Sequence, residues 1–342
     1  MKLLLLAAVA FAARPTPVKR WISELEGADE KRQVLAARVL GRIGDRQAVP
    51  ALVAKLDPRT APQDVPAAAA EALTKLKDPR ALDGILRTWD YVSSLKLGLG
   101  GELPSNMAAL RANLVAACGA IGTERCRQVM AEGIQDSDPI VAQKAAWAFG
   151  SQRDARGIEA MLILCQRGGP PAKAAFEGLA AIGDSRGTTS LQSFLNAHDP
   201  ATQMQAAYAL ARKDSAAKGR LLKAVADQGL PISIRVLAAV YLTRLGEKEG
   251  LDYLTRLLEK GQPADRERAI DGLVETGHEK AVAAVIEASQ ANEAATRKKA
   301  AQALGKLDGK KVPDTLRKLA EDKDPSVRNA AKLSLVEIGE DA

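Results

Sequence analysis

Three groups of residues in this chain have types and spacings that could do chemistry. Residues 183–187, Gly-Asp-Ser-Arg-Gly, satisfy the Gly-x-Ser-x-Gly pattern of a nucleophile elbow. The chain has two histidines, His198 and His278, and two histidines can begin a metal site. It also has three cysteines: Cys118, Cys126 and Cys165.

None of these groups has the surroundings that its chemistry requires. A nucleophile elbow follows a strand, whereas the residues before Gly183 have the spacing of a helix. His198 and His278 fall in two different kinds of turn, which lie on opposite edges of the structure that the pattern predicts. We therefore expect no catalytic residue, no metal site and no cofactor.

The cysteines fit apolar positions of predicted helices, and we interpret them as small buried side chains. Cys118 ends one helix and Cys126 begins the next, so a disulfide between them is conceivable in an oxidising compartment. The odd number of cysteines would leave one thiol unpaired, and the sequence does not decide whether the bridge forms.

The elements that position these residues come from a repeat of about 31 residues. Ten segments align on a final anchor residue, with steps of 33, 45, 31, 30, 31, 32, 31, 31 and 31 residues. The anchors are Gly44, Lys77, Gly122, Arg153, Gly183, Asp214, Gly246, Gly277, Asp308 and Gly339. A fixed period of this size predicts stacked units that bury one another rather than a globular enzyme core.

Each unit carries two apolar stripes with helical spacing. The first, helix A, places a small residue eight positions before the anchor and a large one four positions before it, as in Ala36 and Leu40. After the anchor, often Gly-Asp, a second stripe such as Val49, Leu52 and Leu56 predicts helix B. Asp-Pro pairs such as Asp324-Pro325 are typical of helix starts between units.

This pattern resembles HEAT repeats, specifically the short variety named after bilin lyases. Residues 324–331, Asp-Pro-Ser-Val-Arg-Asn-Ala-Ala, together with Ile338-Gly339, match that consensus closely, and three units are degenerate, around Gln152, Lys213 and Thr276. The resemblance implies an all-α, right-handed α-α superhelix of the armadillo type, with about ten two-helix units. It also implies that helices A lie on the convex side and helices B on the concave side.

The domain organisation follows from the repeat and from the first residues. Residues 3–11 form an apolar run after Lys2, and Ala10-Phe11-Ala12 is a plausible cleavage site, so we expect residues 1–13 to be a signal peptide. The alternative is that this segment forms the first helix A. Residues 14–342 are then one solenoid, with an insertion at about 91–104 that explains the 45-residue step.

The net charge of +7 favours no particular partner by itself, because acidic residues alternate with the basic ones. One set of arginines recurs at 31-residue steps, and we interpret it as a structural ladder that braces neighbouring units. The ladder consists of Arg235, Arg266, Arg297 and Arg328.

Two surfaces are candidates for binding a protein partner. The first is the apolar insertion, with Tyr91, Leu95, Leu97 and Leu99, although these residues could instead fold back onto the gap between units 2 and 3. The second is the concave face, which we assign to helices B, and ordinary packing is its alternative. The residues of this face are Ile163, Leu164, Phe194, Tyr253 and Leu257.

The sequence thus favours an exported, periplasmic or extracellular, monomeric scaffold that binds another protein without catalysis. One alternative is an enzyme or subunit similar to the bilin lyases, and another is a cytoplasmic solenoid that binds nucleic acid, as HEAT-like DNA glycosylases do. His278-Glu279 is similar to the iron-binding pairs of deoxyhypusine hydroxylase, but that family uses several such pairs and this chain has one. We expect no transmembrane anchor and no nucleic-acid partner.

Overall fold

The computed structural model describes residues 17–340, which form twenty α-helices, three short 3₁₀ helices and no strand. The all-α solenoid is therefore confirmed. Residues 1–13, for which we expect a signal peptide, lie outside the described residues.

Helices A are the even-numbered helices of the chain, one for each unit. They are α2 (Glu30–Ile43), α4 (Val65–Leu76), α6 (Ser105–Ile121), α8 (Pro139–Gln152), α10 (Gly169–Ile182), α12 (Pro200–Leu210), α14 (Ile232–Arg244), α16 (Pro263–Thr276), α18 (Ala294–Leu304) and α20 (Pro325–Glu337). Units 1 to 10 are numbered in this order.

Helices B are the odd-numbered helices, and the first of them precedes unit 1. They are α1 (Pro17–Glu26), α3 (Val49–Ala54), α5 (Leu82–Gly98), α7 (Cys126–Ile134), α9 (Ile158–Arg167), α11 (Ser185–Phe194), α13 (Ser215–Ala226), α15 (Lys248–Lys260), α17 (Glu279–Ala288) and α19 (Val312–Leu319). The 3₁₀ helices Arg46–Ala48, Pro79–Ala81 and Ala155–Gly157 each lead into a helix B.

Most anchors of the repeat end helices A in the way that the sequence predicts, whereas Asp214 and Asp308 lie beyond the ends of α12 and α18. Gly183 follows α10 in the left-handed conformation with φ of 66°, which glycine adopts without steric cost. Lys77 and Arg153 adopt the same conformation at φ of 53° and 50°, although they carry side chains. The geometry of the turn is therefore imposed by the packing of the two helices that it joins, and not by glycine alone.

Helices A form the inner side of the curved solenoid. Consecutive helices A pack against one another along much of their length, whereas consecutive helices B touch only slightly. Elements on the inside of a curve are closer together than those on the outside, so helices B form the outer face. The expectation that helices A are convex and helices B concave was wrong, because the small residues lie on helices A and allow close approach there.

Two positions on helices A, five and three residues before the anchor, make this approach possible where both are small. A Cβ added at Gly41 would lie 2.6 Å from the Cα of Ala72, and one added at Gly150 would lie 2.5 Å from the Cα of Gly178. Neither distance leaves room for a side chain, so the two backbones are in direct contact.

The apolar core is divided into two clusters that meet in unit 6. One cluster runs from Val18 to Ala217 and the other from Met204 to Leu335. In the same place α12 and α14 pack less closely than any other consecutive helices A in the described chain. The bulky Tyr241 stands on α14 at the position where α4 carries Ala72 and α10 carries Gly178, and we attribute the wider spacing to its ring.

Hydrogen exchange tests whether unit 6 is the weakest part of the solenoid. Because stability in a repeat protein is nearly a sum of contacts between neighbours, a loosely packed unit should open at lower free energy. We expect the slowest amides of α13 to exchange at least about tenfold faster than the slowest amides of α8. Equal protection in these two helices, measured by mass spectrometry, would contradict the assignment.

Candidate functional site: the inner face

Two rows of residues on helices A, six and two positions before the anchor, form the inner face, and we call them the inner columns. The first column is Arg38, Glu71, Ala116, Trp147, Glu177, Tyr208, Val240, Asp271, Gln302 and Leu333. The second is Arg42, Lys75, Ala120, Ser151, Ala181, Arg212, Arg244, Glu275, Lys306 and Glu337. Ion pairs between units connect members of these columns, among them Arg38 with Glu71 at 3.8 Å.

The inner columns of units 5 to 8 are joined by charged side chains. Arg244 donates to Glu177 at 2.9 Å, two units earlier, and to the carbonyl oxygen of Glu275 at 2.8 Å. Lys173, also on α10, lies 2.5 Å from Glu275. Helix A of unit 5 is therefore tied to helices A of units 7 and 8, and the inner face is narrow here.

Two tyrosines lie beside this network. The rings of Tyr208 and Tyr241 stack with their centroids 4.3 Å apart. Burial raises the pKa of the Tyr241 phenol, and its buried hydroxyl has no hydrogen-bond partner in the structure. The pair fills the space between α12 and α14 rather than presenting a reactive group.

The inner columns of units 3 to 5 are different, because they are mostly uncharged around an exposed tryptophan. Trp147 is 45% exposed. Its indole ring packs beside Gly119 on α6, where an added Cβ would lie 3.7 Å from the ring. The neighbouring inner-column residues are small. We call this the Trp147 surface, and it consists of Ala120, Trp147, Ser151 and Ala181, with the buried Ala116 beneath them.

The predicted arginine ladder lies on the outer side, where each helix A begins. Arg297 is almost fully buried and donates to both carboxylate oxygens of Asp322 in the next unit, at 2.7 and 2.8 Å. It also donates to the carbonyl oxygens of Ala291 and Asn292 in the turn before α18. The guanidinium thus joins two turns that neighbouring units present side by side.

The other members of the ladder make related contacts. Arg266 donates to Glu293 and to the carbonyl oxygen of Gly261, both at 2.9 Å. Arg328 donates to the carbonyl oxygen of Asp322 at 2.8 Å, and Arg235 donates to that of Val225 at 3.2 Å.

Sequence reasoning missed a fifth member of the ladder. Arg111 stands eleven residues before the anchor Gly122, as the other four stand before their own anchors. It donates to Asp136 at 2.7 Å and stacks on Trp89, with its guanidinium carbon 3.7 Å from the ring centroid. The constant spacing was not followed far enough to find it: Arg111 lies four repeats before Arg235, and the units between carry Ala142, Ala172 and Gln203 at this position.

The insertion is mainly an extension of a helix. Helix α5 continues to Gly98, so the predicted loop at 91–104 is reduced to residues 99–104. Lys96 lies 2.5 Å from Asp136, and Arg111 donates to Ser93 at 2.5 Å. The extended helix therefore packs back onto units 2 and 3, beside a cavity of about 350 Å³.

Because of this packing, the four predicted binding residues of the insertion differ in exposure. Tyr91 is half-buried beneath the guanidinium of Arg59, 5.1 Å from it, and Leu95 is also half-buried. Leu97 and Leu99 remain exposed at 83% and 51%. Only these last two are available to a partner.

The five residues predicted to line the concave face lie on helices B and hence on the outer side. Leu164 and Tyr253 are buried, and Leu257 is partly buried in the core. Phe194 packs edge-on against Phe176 at 5.3 Å. Ile163 alone is exposed. Their assignment to a concave groove was wrong, because it depended on the side that helices B occupy.

The residues that suggested enzyme chemistry lie at helix starts and in turns. Ser185 begins α11 after the cap Asp184, and helix α10 precedes it instead of a strand. His278 caps α17 by accepting from the Lys280 amide, while His198 is exposed in the turn before α12. Within residues 17–340, no group of three or more His, Cys, Asp or Glu could hold a metal ion.

All three cysteines are buried free thiols. Cys118 and Cys126 hydrogen-bond to each other, and this contact lowers the pKa of Cys126 to about 6 while it raises that of Cys118. Thr123 adds a donor 3.3 Å from the Cys126 sulfur. Burial raises the pKa of Cys165 to about 12.

The comparisons with known proteins agree with this architecture. The family model for HEAT repeats matches residues 18–91 and 286–342. These two segments are therefore HEAT repeats, and the described residues between them form stacked two-helix units of the same kind. No curated protein matches it. Among residues 17–340, no helix is both long and apolar enough to cross a membrane.

Solved structures match this chain at low identity and with TM-scores below 0.5. Human deoxyhypusine hydroxylase is 21% identical over 85% of this chain and 96% of its own, with a TM-score of 0.39. The CpcE–CpcF complex of phycocyanin lyase from Nostoc is 20% identical over 80% and 96%, with a TM-score of 0.42. An engineered protein is 18% identical over 96% and 100%, with a TM-score of 0.35. Such values carry no argument about activity.

The Arg297–Asp322 pair makes a testable contribution to stability. Asp322→Asn leaves Arg297 buried without a counter-charge, and we expect the free energy of unfolding at pH 7 to fall by about 2 kcal/mol. The exposed pair of Arg317 with Asp314 provides the control, because Asp314→Asn should cost less than about 1 kcal/mol. Urea unfolding followed by circular dichroism measures both.

The same pair predicts a pH dependence. Hydrogen bonds from Arg297 lower the pKa of Asp322 to about 2, below the value of about 4 in an unfolded chain. Its contribution is complete above pH 4 and disappears as the pH falls from about 4 to about 2. The difference between wild type and Asp322→Asn should therefore shrink across this window, and a constant difference would contradict the pairing.

Proposed function

We propose that this chain is a non-catalytic scaffold that is exported and binds another protein through the inner face of the solenoid. The observation that supports the binding site is Trp147, an exposed tryptophan on the inner side of a repeat array. Tryptophan is enriched among the residues that dominate binding energy in protein interfaces, since it buries a large apolar area with few rotatable bonds.

The surroundings of Trp147 suit an apolar contact. Ala116, Ala120 and Ala181 leave the ring accessible, and no inner-column residue of units 3 and 4 is charged. Exposed apolar surface with polar neighbours is typical of interaction sites. The polar neighbours here are the charged columns of units 1, 2 and 5 to 8.

The exposed leucines of the insertion provide a second contact in the proposal. Leu97 and Leu99 stand at the end of α5, held there by the ion pair between Lys96 and Asp136. They belong to unit 2. A partner that extends beyond Trp147 toward this unit therefore contacts them as well.

Site-specific photo-crosslinking tests the binding surface. A photoreactive residue in place of Ser151, beside Trp147, should capture the partner in the native cells, and mass spectrometry then identifies it. We expect Trp147→Ala to weaken the purified complex at least about tenfold. Ile163→Ala, equally exposed on the outer face, is the matched control and should leave the affinity unchanged. Equal affinity of the Trp147→Ala variant and wild type would exclude this surface.

Export has its own experiment. The apolar run at residues 3–11 and the Ala-Phe-Ala sequence at 10–12 support a cleaved signal. We expect the protein isolated from its own cells to have the mass of a chain that starts near Ala13, and to be found in the envelope or the medium. A full-length chain in the cytosol would contradict export without affecting the binding surface.

A further inference from the structure

The two ends of the described solenoid touch each other. Helix α2 of unit 1 packs against α20 of unit 10. From α2, Arg42 donates to the carbonyl oxygens of Gly305 and Leu307, the latter at 3.0 Å, and to the carboxylate of Asp308 at 3.1 Å. These partners are more than 260 residues away along the chain, so the superhelix returns to its starting point.

The contact of Arg42 has a clear electrostatic basis. Gly305 and Leu307 lie in the turn that follows α18, whose C-terminal end carries a negative partial charge, and their carbonyl oxygens accept hydrogen bonds from Arg42 beside that end. A guanidinium that reaches several such oxygens at once satisfies them and complements that charge. Only 22% of the Arg42 side chain is exposed, so this contact is partly shielded from salt and water.

The same type of contact joins units that are neighbours in sequence. Arg244, in the same inner column as Arg42, donates to the carbonyl oxygen of Glu275 at the end of α16. Gln152 and Lys213, each one residue before an anchor, likewise donate to the carbonyl oxygens of Gly119 and Gly183. Arg42 thus reaches past unit 10 to unit 9 with the kind of contact that joins nearby units elsewhere, as Arg244 reaches Glu177 two units away.

An apolar contact accompanies the charged one. Val39 is fully buried although no helix A precedes α2 among the described residues. A Cβ added at Gly339 would lie 3.2 Å from a Val39 methyl and 4.0 Å from Ile43. The final turn of unit 10 thus covers the side of α2 that a preceding unit would cover.

This joint is less tightly packed than the joints between consecutive units. Helices α2 and α20 share less contact than any two consecutive helices A in the described chain. A cavity of about 690 Å³ adjoins it, lined by residues of both ends that include Arg38, Lys75, Lys306 and Glu337. Unlike the other joints, it has no covalent connection that keeps its two sides close.

We propose that this joint is a latch: Arg42, bound to the end of α18, closes the solenoid into a ring, and the ring opens at this place when the latch releases. Helices A line the inner face, and the joint lies between two of them. When the joint opens, the inner face therefore becomes wider. This inference concerns the shape of the chain and does not depend on the proposed partner binding.

A distance measurement across the joint tests the latch. Gln47 and Lys310 are exposed on its two sides, and all three natural cysteines are buried, so spin labels attach to Gln47→Cys and Lys310→Cys. Pulsed electron resonance on the full chain, diluted with unlabelled protein, reports the intramolecular distance. We expect one narrow distribution for the closed ring.

Substitutions in this doubly labelled chain distinguish the latch from a passive contact. Arg42→Ala should lower the ratio of closed to open rings at least tenfold and move the distribution to longer distances. Arg32→Ala, on the first turn of α2 and away from the joint, removes the exposed ion pair with Glu24 and should leave the distribution unchanged. Asp308→Asn, at an almost fully exposed residue, cannot unfold the chain and should cause a smaller shift in the same direction as Arg42→Ala.

Salt provides an independent measurement on the unsubstituted latch. Raising the ionic strength from about 0.1 M to about 1 M shortens the screening length from about 10 Å to about 3 Å and should populate the longer distances. A broad distance distribution in the wild type would overturn the proposal. So would a distribution that stays the same in Arg42→Ala, in Asp308→Asn and at high salt.

Discussion

The close approach of consecutive helices A is the contact on which the rest of this structure depends. Where Gly41 meets Ala72 and Gly150 meets Gly178, backbone lies against backbone, and no larger side chain fits. In the described residues no glycine of a helix B meets the backbone of another helix B in this way, and helices B remain further apart. The difference in spacing between the two layers produces the curvature, and accumulated curvature brings unit 10 back to unit 1.

The curvature also decides which residues can act together. Because helices A are inside, charged side chains on them reach across two or three units to the inner columns, as Arg244 does to Glu177 and Lys173 to Glu275. Trp147 is placed on the same face but in a region without such charges. The outer face, by contrast, consists of helices B that barely touch, with the arginine ladder at the edge where helices A begin.

Departures from the repeat are where the solenoid acquires its individual features. Tyr241 replaces a small residue and separates α12 from α14, and the apolar core divides there. The insertion lengthens α5, and Arg111 on the next helix A holds the ladder position and binds Asp136 beside that extension. Regular units therefore determine the architecture, while irregular units produce its weak point, its exposed leucines and its cavity.

The sequence by itself determined the all-α fold, the order of the helices, their ends and the ladder of Arg235, Arg266, Arg297 and Arg328, because helical spacing, caps and turns are local properties that repeat along the chain. It did not determine which helices face inward, so Ile163 and Tyr253 were assigned to the wrong side and Trp147 was overlooked. Only the tertiary structure decided this, since curvature is the sum of small differences in packing between helices that are not adjacent in sequence. The contact of Arg42 with the end of α18 has the same origin: it depends on the accumulated rotation of nine units, which no local pattern contains.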